Sequence, residues 1–338
     1  MKKKILLIGT GGTIACKQTE DGLAPSFTSE ELLGYIPEAE KFCEVDAVQI
    51  CNLDSTNICP QHWSLISHTV EDHYDQYDGF VVCHGTDTLA YTAAALSYMI
   101  QDSAKPVVVT GAQKPINAVN TDARVNLFDS LLYASDEGSH GVVLVFDGKV
   151  IAGTRAKKER AKSYNAFSSI NYPCLAVIQD GRLIRYIPSA NPRWRVRFYH
   201  NMDSRVYVLK FTPGLDPQIL TWIFENADGV VFESFGVGGI PEYLLEKLEE
   251  LMENHPNRMV IVATQVVHEG SDMMVYQVGK KVKQELNLLE TYDMTLEAAV
   301  SKAMWILASQ HIEIEERKEA FYKPVNHDLT MHFKEEMQ

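Results

Sequence analysis

The sequence has no uninterrupted apolar stretch approaching the ~20 residues that a bilayer-spanning helix needs. Its N-terminus, MKKKILLIG, imitates the charged start of a secretory signal. The apolar run Ile5–Ile8 ends at Gly9, however, and the polar stretch from Lys17 to Asp21 follows too soon for a signal core. A charged start leading into a first strand is the better reading. Positive charge is in deficit: 31 Lys+Arg against 45 Asp+Glu leave a net charge of −14, with no basic stripe. That balance argues against nucleic acid or an anionic membrane as partner. The six cysteines (Cys16, Cys43, Cys51, Cys59, Cys83, Cys174) include no CxxC pair. Scattered through a chain this long, they indicate reduced thiols in a cytoplasmic setting and support neither a disulfide framework nor a structural zinc site. Internal repeats and low-complexity segments are also missing.

What is present is an ordinary globular composition, 46% hydrophobic and 22% charged, in 338 residues, enough for two packed domains. Up to about residue 187 the pattern alternates strand and helix. Lys4–Ile8, Ala47–Cys51, Phe80–Cys83, Val107–Thr110 and Gly141–Phe146 read as strands. Thr28 and Glu31 form a capping box, Pro60 fits the first turn of a helix reaching His73, and Leu89–Ile100 and Asp122–Ala134 read as further helices. The alternation predicts an α/β fold with a larger N-terminal domain (1–187) built on a mostly parallel, doubly wound sheet. Residues 188–205 break the rhythm with two prolines and clustered positive charge and read as a linker. A smaller parallel α/β domain (206–338) follows, with strands Val206–Phe211, Gly229–Phe232 and Met259–Ala263 and helices Pro241–Asn254 and Thr295–Ala308. The polar tail after Lys323 either docks or frays.

Two threonines stand at Gly-rich strand exits: Thr13 in GTGGTIA and Thr86 in HGTDTLAY. Open α/β sheets bind small ligands at the carboxyl ends of their strands. The Gly9–Gly12 turn is no dinucleotide fingerprint, since GxGxxG needs glycine where Ile14 sits; the polar stretch from Ile14 to Asp21 reads as an irregular loop. Taken alone, Thr13 is an ordinary turn residue and Thr86 an ordinary helix N-cap. Ser55 and Thr56 follow a strand, where hydroxyl and backbone N–H groups hold a carboxylate without net charge. The basic cluster Arg155, Lys157, Lys158, Arg160 and Lys162 reads by itself as a solvated loop.

Together, TGGTI (10–14), DSTNI (54–58), HGTDT (84–88), VVVTGAQKP (107–115), AFSSINY (166–172) and ESFGVG (233–238) resemble the bacterial-type asparaginase/glutaminase family, and within it the cytoplasmic type I branch. The resemblance spans nearly the whole chain. It implies an amidohydrolase that converts L-asparagine to L-aspartate and ammonia without metal or organic cofactor. A mixed asparaginase-glutaminase and the amidohydrolase part of a tRNA-dependent amidotransferase are the alternatives, although that component usually carries an extra N-terminal module and this chain enters its first strand at residue 4. A non-catalytic amino-acid-binding protein is the rival from another class. By resemblance Thr13 is the nucleophile, and Thr86, Asp87 and a lysine form a second group, with Asp87 also binding the substrate ammonium. An ungapped count back from AFSSINY places that lysine at Lys158, with Lys157 as the minority candidate. Ser55 and Thr56 match the α-carboxylate site and Ala112 a backbone position lining the oxyanion region. The family also implies a homodimer or homotetramer, with the turn Gly236–Gly239 and the loop bearing Asp272 available at the contact between copies. The chain departs from the family at three points. Its lid tyrosine is replaced near Gly22–Pro25, with Tyr35 too far along to stand in. Glu233 and Val266 occupy positions that carry an arginine and a cysteine in allosterically regulated members, so that effector site is altered or absent.

Overall fold

The computed structural model describes residues 2–19, 22–188, 194–275, 279, 283, 285–309 and 311–330. Contacts divide the chain into two compact units, Met1–His200 and Asn201–Gln338.

The first unit is built on an eight-stranded sheet. From one edge its strands are Arg182–Arg185, Ala176–Gln179, Lys149–Ala152, Gly141–Phe146, Pro106–Thr110, Gly79–Cys83, Lys3–Gly11 and Cys43–Leu53. The strands from Gly141–Phe146 to Cys43–Leu53 pair in parallel. Both faces of this half are covered: Ile5, Leu7 and Ile8 are 0% exposed and Leu6 only 2%. Ile5, Leu7, Val81, Val108 and Val143 pack with Leu32, Leu127 and Leu131 of the helices Ser29–Leu33 and Ala123–Ser135. Burial on both sides explains why the inner strands read as apolar runs, whereas the edge strand Cys43–Leu53 is partly exposed and carries Glu44, Asp46 and Gln49.

The other edge turns antiparallel. Two Asp-Gly pairs make the tight turns, Asp147 (φ 52°) with Gly148 (φ 67°) and Asp180 (φ 51°) with Gly181 (φ 67°). Both central residues are left-handed, as hairpin turns whose twist matches the flanking strands require. Strand-helix alternation did not foresee these hairpins. Thr28 makes its capping box with Glu31, and Pro60 opens the helix Pro60–His73 as expected. Within the stretch read as a linker, Arg197–Phe198 pairs antiparallel with Ile100–Gln101.

The second unit holds a parallel four-stranded sheet in the order Val206–Lys210, Gly229–Ser234, Met259–Thr264, Leu289–Glu290. The helix Glu242–Asn254 buries the stripe Leu244, Leu248 and Leu251 against Val230, Phe232, Val260 and Val262. The segment after Lys323 docks as far as Thr330, whose backbone N–H donates to the Asp293 carboxylate at 3.1 Å. Asp328, fully buried, pairs with Lys302 of the helix Leu296–Ala308 at 2.7 Å. No helix among the described residues is long and apolar enough to cross a membrane. All six cysteines are unpaired, and burial pushes the Cys83 thiol up to about 12 and Cys43 to about 11, which leaves both inert at neutral pH.

Candidate active site

The site grows from the carboxyl ends of adjacent parallel strands in the first unit. Lys3–Gly11 ends in Gly11 and Gly12, both at positive φ (102° and 78°). A Cβ on Gly12 would lie 2.3 Å from the Gly85 backbone nitrogen, so only glycine lets this turn sit against the neighbouring HGT loop. Gly12 N–H donates to Leu53 O at 2.9 Å and a short 3-10 turn, Thr13–Ala15, follows. Thr13 is half-buried in that turn, beside the loop that carries Thr86. Beyond it the expected irregular loop is instead an antiparallel ladder, Cys16–Thr19 with Gly22–Pro25. Cross-strand backbone bonding gives this polar segment an order that apolar periodicity does not reveal. Tyr35 packs edge-on against Phe27 with ring centroids 5.7 Å apart, part of the core.

The neighbouring strand, Gly79–Cys83, leads into His84, which is fully buried. Trp63 Nε1–H donates to Thr92 Oγ1 (2.9 Å), and Thr92 Oγ1 lies 3.0 Å from His84 Nε2. His84 Nδ1 lies 2.8 Å from the Gly85 carbonyl, which can only accept. The ring therefore carries its proton on Nδ1 and accepts from Thr92, a relay that holds the backbone immediately before Thr86. Burial lowers the His84 pKa from 6.5 to about 4. A depressed folded-state value means that the unfolded chain binds the proton first. His84 therefore contributes stability fully above pH 6.5 and loses it as pH falls toward 4, by roughly 3 kcal/mol in all. Urea unfolding at pH 7 and pH 4.5 should show this fall, and His84→Gln should flatten it; an identical pH slope in the variant would exclude His84 as its source.

Thr86 does not cap the following helix. The N-cap position of Leu89–Met99 is Thr88, and the Thr86 hydroxyl turns toward Lys158 instead. Lys158 Nζ donates to Thr86 Oγ1 at 2.8 Å and to Asp87 Oδ1 at 2.6 Å. The lysine side chain is 17% exposed and the Asp87 side chain 57%. Lys158 ends the strand Ala156–Lys158, paired with Phe167–Ser169. Successive side chains on a strand point to opposite faces, so Lys157 cannot share this position. The basic cluster divides accordingly: Lys158 meets Thr86 and Asp87, Arg160 and Lys162 are exposed, and Arg155 is 0% exposed with its guanidinium 5.4 Å from the Tyr172 ring.

Ser55 is buried and joins this cluster, its Oγ accepting from Asp87 N–H (3.2 Å) and its carbonyl from Thr88 Oγ1 (2.8 Å). Thr56 is exposed, and both its N–H and its hydroxyl are turned back on Asp54 Oδ1, at 2.9 and 3.0 Å. Ala112 is fully buried at the exit of Pro106–Thr110.

Sequence reasoning missed Gln113. Its Nε2 donates to the carbonyls of Ser163 (3.1 Å) and Arg160 (3.4 Å), which turns Oε1 toward the Thr86 hydroxyl at 3.3 Å. Behind it, Asp122 accepts from the backbone N–H groups of Gln113 (2.9 Å) and Lys114 (3.1 Å); burial raises the Asp122 pKa against these donors. The signal available was position alone, one residue beyond Ala112 in TGAQ.

The cluster thus couples an ammonium, a carboxylate and a hydroxyl, with a second hydroxyl on the adjoining glycine turn. Such a set can supply a nucleophile, move a proton and hold a zwitterionic ligand.

Comparison with known proteins agrees in extent with this architecture. The family description "Asparaginase, N-terminal" matches residues 4–190 and "Glutaminase/Asparaginase C-terminal domain" residues 205–321. The L-asparaginase of Thermococcus kodakarensis is 37% identical over 329 residues, covering 97% of this chain and 99% of its own. Its solved structure superposes with a TM-score of 0.89 at 35% identity, covering 97% of this chain and 100% of that one. L-asparaginase 1 of Escherichia coli K12 is 31% identical, covering 97% and 98%. A glutamyl-tRNA(Gln) amidotransferase component of Pyrococcus abyssi is 32% identical, covering 92% of this chain and 73% of its own.

Proposed function

The chain belongs to the asparaginase family, and from that premise we propose that it is an L-asparaginase working through a threonine nucleophile. The observation that carries this reading is Lys158 Nζ held at once by Thr86 Oγ1 and Asp87 Oδ1, beside the glycine turn of Thr13. Thr13 Oγ attacks the side-chain carboxamide carbon of L-asparagine, the Thr13 hydroxyl proton passes to the departing nitrogen as the C–N bond breaks and ammonia leaves, and water hydrolyses the resulting ester, returning a proton to Thr13 Oγ and releasing L-aspartate. Lys158 stabilises charge developing on Thr86 or on a water that Thr86 orients, and Asp87 keeps the ammonium in place. The Asp87 oxygen not engaged by Lys158 is available to the substrate's α-ammonium. Ser55 and neighbouring N–H groups receive the α-carboxylate; Thr56 contributes only on releasing Asp54. The buried backbone at Ala112 faces the oxyanion.

Gln113 orients the Thr86 hydroxyl in this scheme. By accepting the hydrogen bond from the hydroxyl, Gln113 Oε1 leaves the oxygen lone pairs to Lys158. Loss of one hydrogen bond of this kind costs about 0.5–1.5 kcal/mol, so Gln113→Ala should lower kcat up to about tenfold. Steady-state ammonia release at saturating L-asparagine reads the effect; an unchanged kcat removes Gln113 from the scheme.

Ammonia release from L-asparagine, L-glutamine and D-asparagine, measured side by side, tests the function as a whole. Release from L-asparagine in preference to the other two is expected. Comparable release from L-glutamine would broaden the activity to asparaginase-glutaminase, and release from none would favour a binding protein. The likeness to the amidotransferase component leaves amide hydrolysis in common, and turnover of free L-asparagine without tRNA separates the two. Self-association as a homodimer or homotetramer belongs to the same proposal and is read by sedimentation.

A further inference from the structure

We propose that His68, Glu71 and His200 form a binding site for a divalent transition-metal ion, separate from the hydrolytic cluster. His68 and Glu71 are three residues apart on the helix Pro60–His73, hence on one face. His200, at the end of the first unit, reaches the same face: its Nε2 is 2.7 Å from Glu71 Oε2, and its ring stacks on His68 with centroids 3.6 Å apart and an interplanar angle of 15°. One candidate ligand atom from each of the three residues lies within 4.8 Å of the others. Ligand bonds of about 2.0–2.2 Å at tetrahedral angles place ligand atoms about 3.3 Å apart. Stacked imidazoles aim their lone pairs side by side, so binding requires the exposed His68 ring to swing out of the stack and Glu71 to exchange its contact with His200 Nε2 for the ion.

His200 is the anchored member. Its carbonyl accepts from the Ser64 hydroxyl, the preceding Tyr199 N–H donates to Met99 O at 2.7 Å, and Arg197–Phe198 is paired to Ile100–Gln101. Two imidazoles and one carboxylate are the donor set of Zn²⁺, Ni²⁺ or Cu²⁺, and they discriminate against Mg²⁺ and Ca²⁺, which take oxygen ligands. Glu71, with a side chain 45% exposed, leaves room for water in the remaining position. Metal-bound histidines in tight sites anchor their second nitrogen, whereas His200 Nδ1 is buried without a hydrogen-bond partner among the described residues. Affinity should therefore lie about 10–100-fold below that of a fully supported site. Occupancy would clamp the Arg197–His200 segment to the helix that begins just after the Ser55 loop.

The test is titration of the full chain with Zn²⁺ by calorimetry and equilibrium dialysis, alongside Mg²⁺. One Zn²⁺ per chain is expected, with a raised thermal midpoint and no Mg²⁺ binding. His68→Gln and Glu71→Gln, both at exposed positions, should each weaken Zn²⁺ binding at least about tenfold, since each removes one of three ligands. Circular dichroism checks that the variants fold, and ammonia release by the metal-free protein should be unchanged. Absence of stoichiometric Zn²⁺ binding would overturn the proposal. So would full retention of binding in the His68→Gln/Glu71→Gln double variant, which would place the ion elsewhere.

Discussion

Thr13→Ala and Thr86→Val are each expected to lower kcat for L-asparagine by on the order of a hundredfold or more, with circular dichroism unchanged. The reasoning differs for the two residues. Thr13 sits in a turn whose shape is set by the glycines before it, so removing its hydroxyl leaves the backbone path intact while deleting the proposed nucleophile. Thr86→Val keeps the volume and branching of a residue only 5% exposed but deletes the oxygen that receives Lys158 Nζ at 2.8 Å. Lys158→Met should be comparably severe, because it strips the ammonium from both Thr86 and Asp87. Lys157→Met should be mild, since the strand directs that side chain elsewhere. Near-wild-type turnover in a folded Thr13→Ala protein would exclude it as nucleophile. A larger loss in Lys157→Met than in Lys158→Met would mean that the strand register differs in the working enzyme.

The second large effect concerns stability. Lys302→Met should destabilise the second unit by about 3–5 kcal/mol, the usual cost of leaving one member of a buried ion pair alone. Lys302 and Asp328 are both 0% exposed and 2.7 Å apart. Burial lowers the lysine's pKa against the opposing pull of Asp328, so the ammonium is held by its partners: Asp328 and the Lys323 carbonyl, at 2.8 Å. Asp328 in turn accepts from Val325 N–H at 2.8 Å. Removing the ammonium leaves the buried carboxylate without its countercharge. The double variant Lys302→Met/Asp328→Leu should recover most of the loss, because well-packed apolar groups often replace a buried pair at little net cost. Urea unfolding followed by tryptophan fluorescence gives both values. A single variant as stable as the parent would show that the pair contributes nothing, and an unrescued double variant would place the cost in packing rather than charge.

Much of the fold was legible because the inner parallel strands of the first unit, such as Gly79–Cys83 and Pro106–Thr110, are buried on both faces and so are written as apolar runs. Thr28, Pro60 and Thr295 marked helix starts because a cap is a local device, satisfied by residues within one turn. The two hairpins were missed although Asp147–Gly148 and Asp180–Gly181 announce them, since alternation of strand and helix favoured a uniformly parallel reading. The polar segment after Ile14 was missed for another reason: its strands pair with each other through the backbone, with no apolar period to betray them.

The sequence by itself determined which residue types stand at the strand exits, and with them the family and the candidate chemistry. The ungapped count from AFSSINY pointed to Lys158, but the contact of its ammonium with the Thr86 hydroxyl belongs to the tertiary structure. That structure also decided that Thr86 faces Lys158 instead of capping its helix, and that Gln113 and His84 hold the Thr86 loop. Those outcomes depend on strand pairing and pleat, which bring together side chains 72 positions apart in sequence, as for Thr86 and Lys158. The His68–Glu71–His200 cluster belongs with them, because Glu71 and His200 are 129 positions apart in sequence and only the folded first unit brings them together.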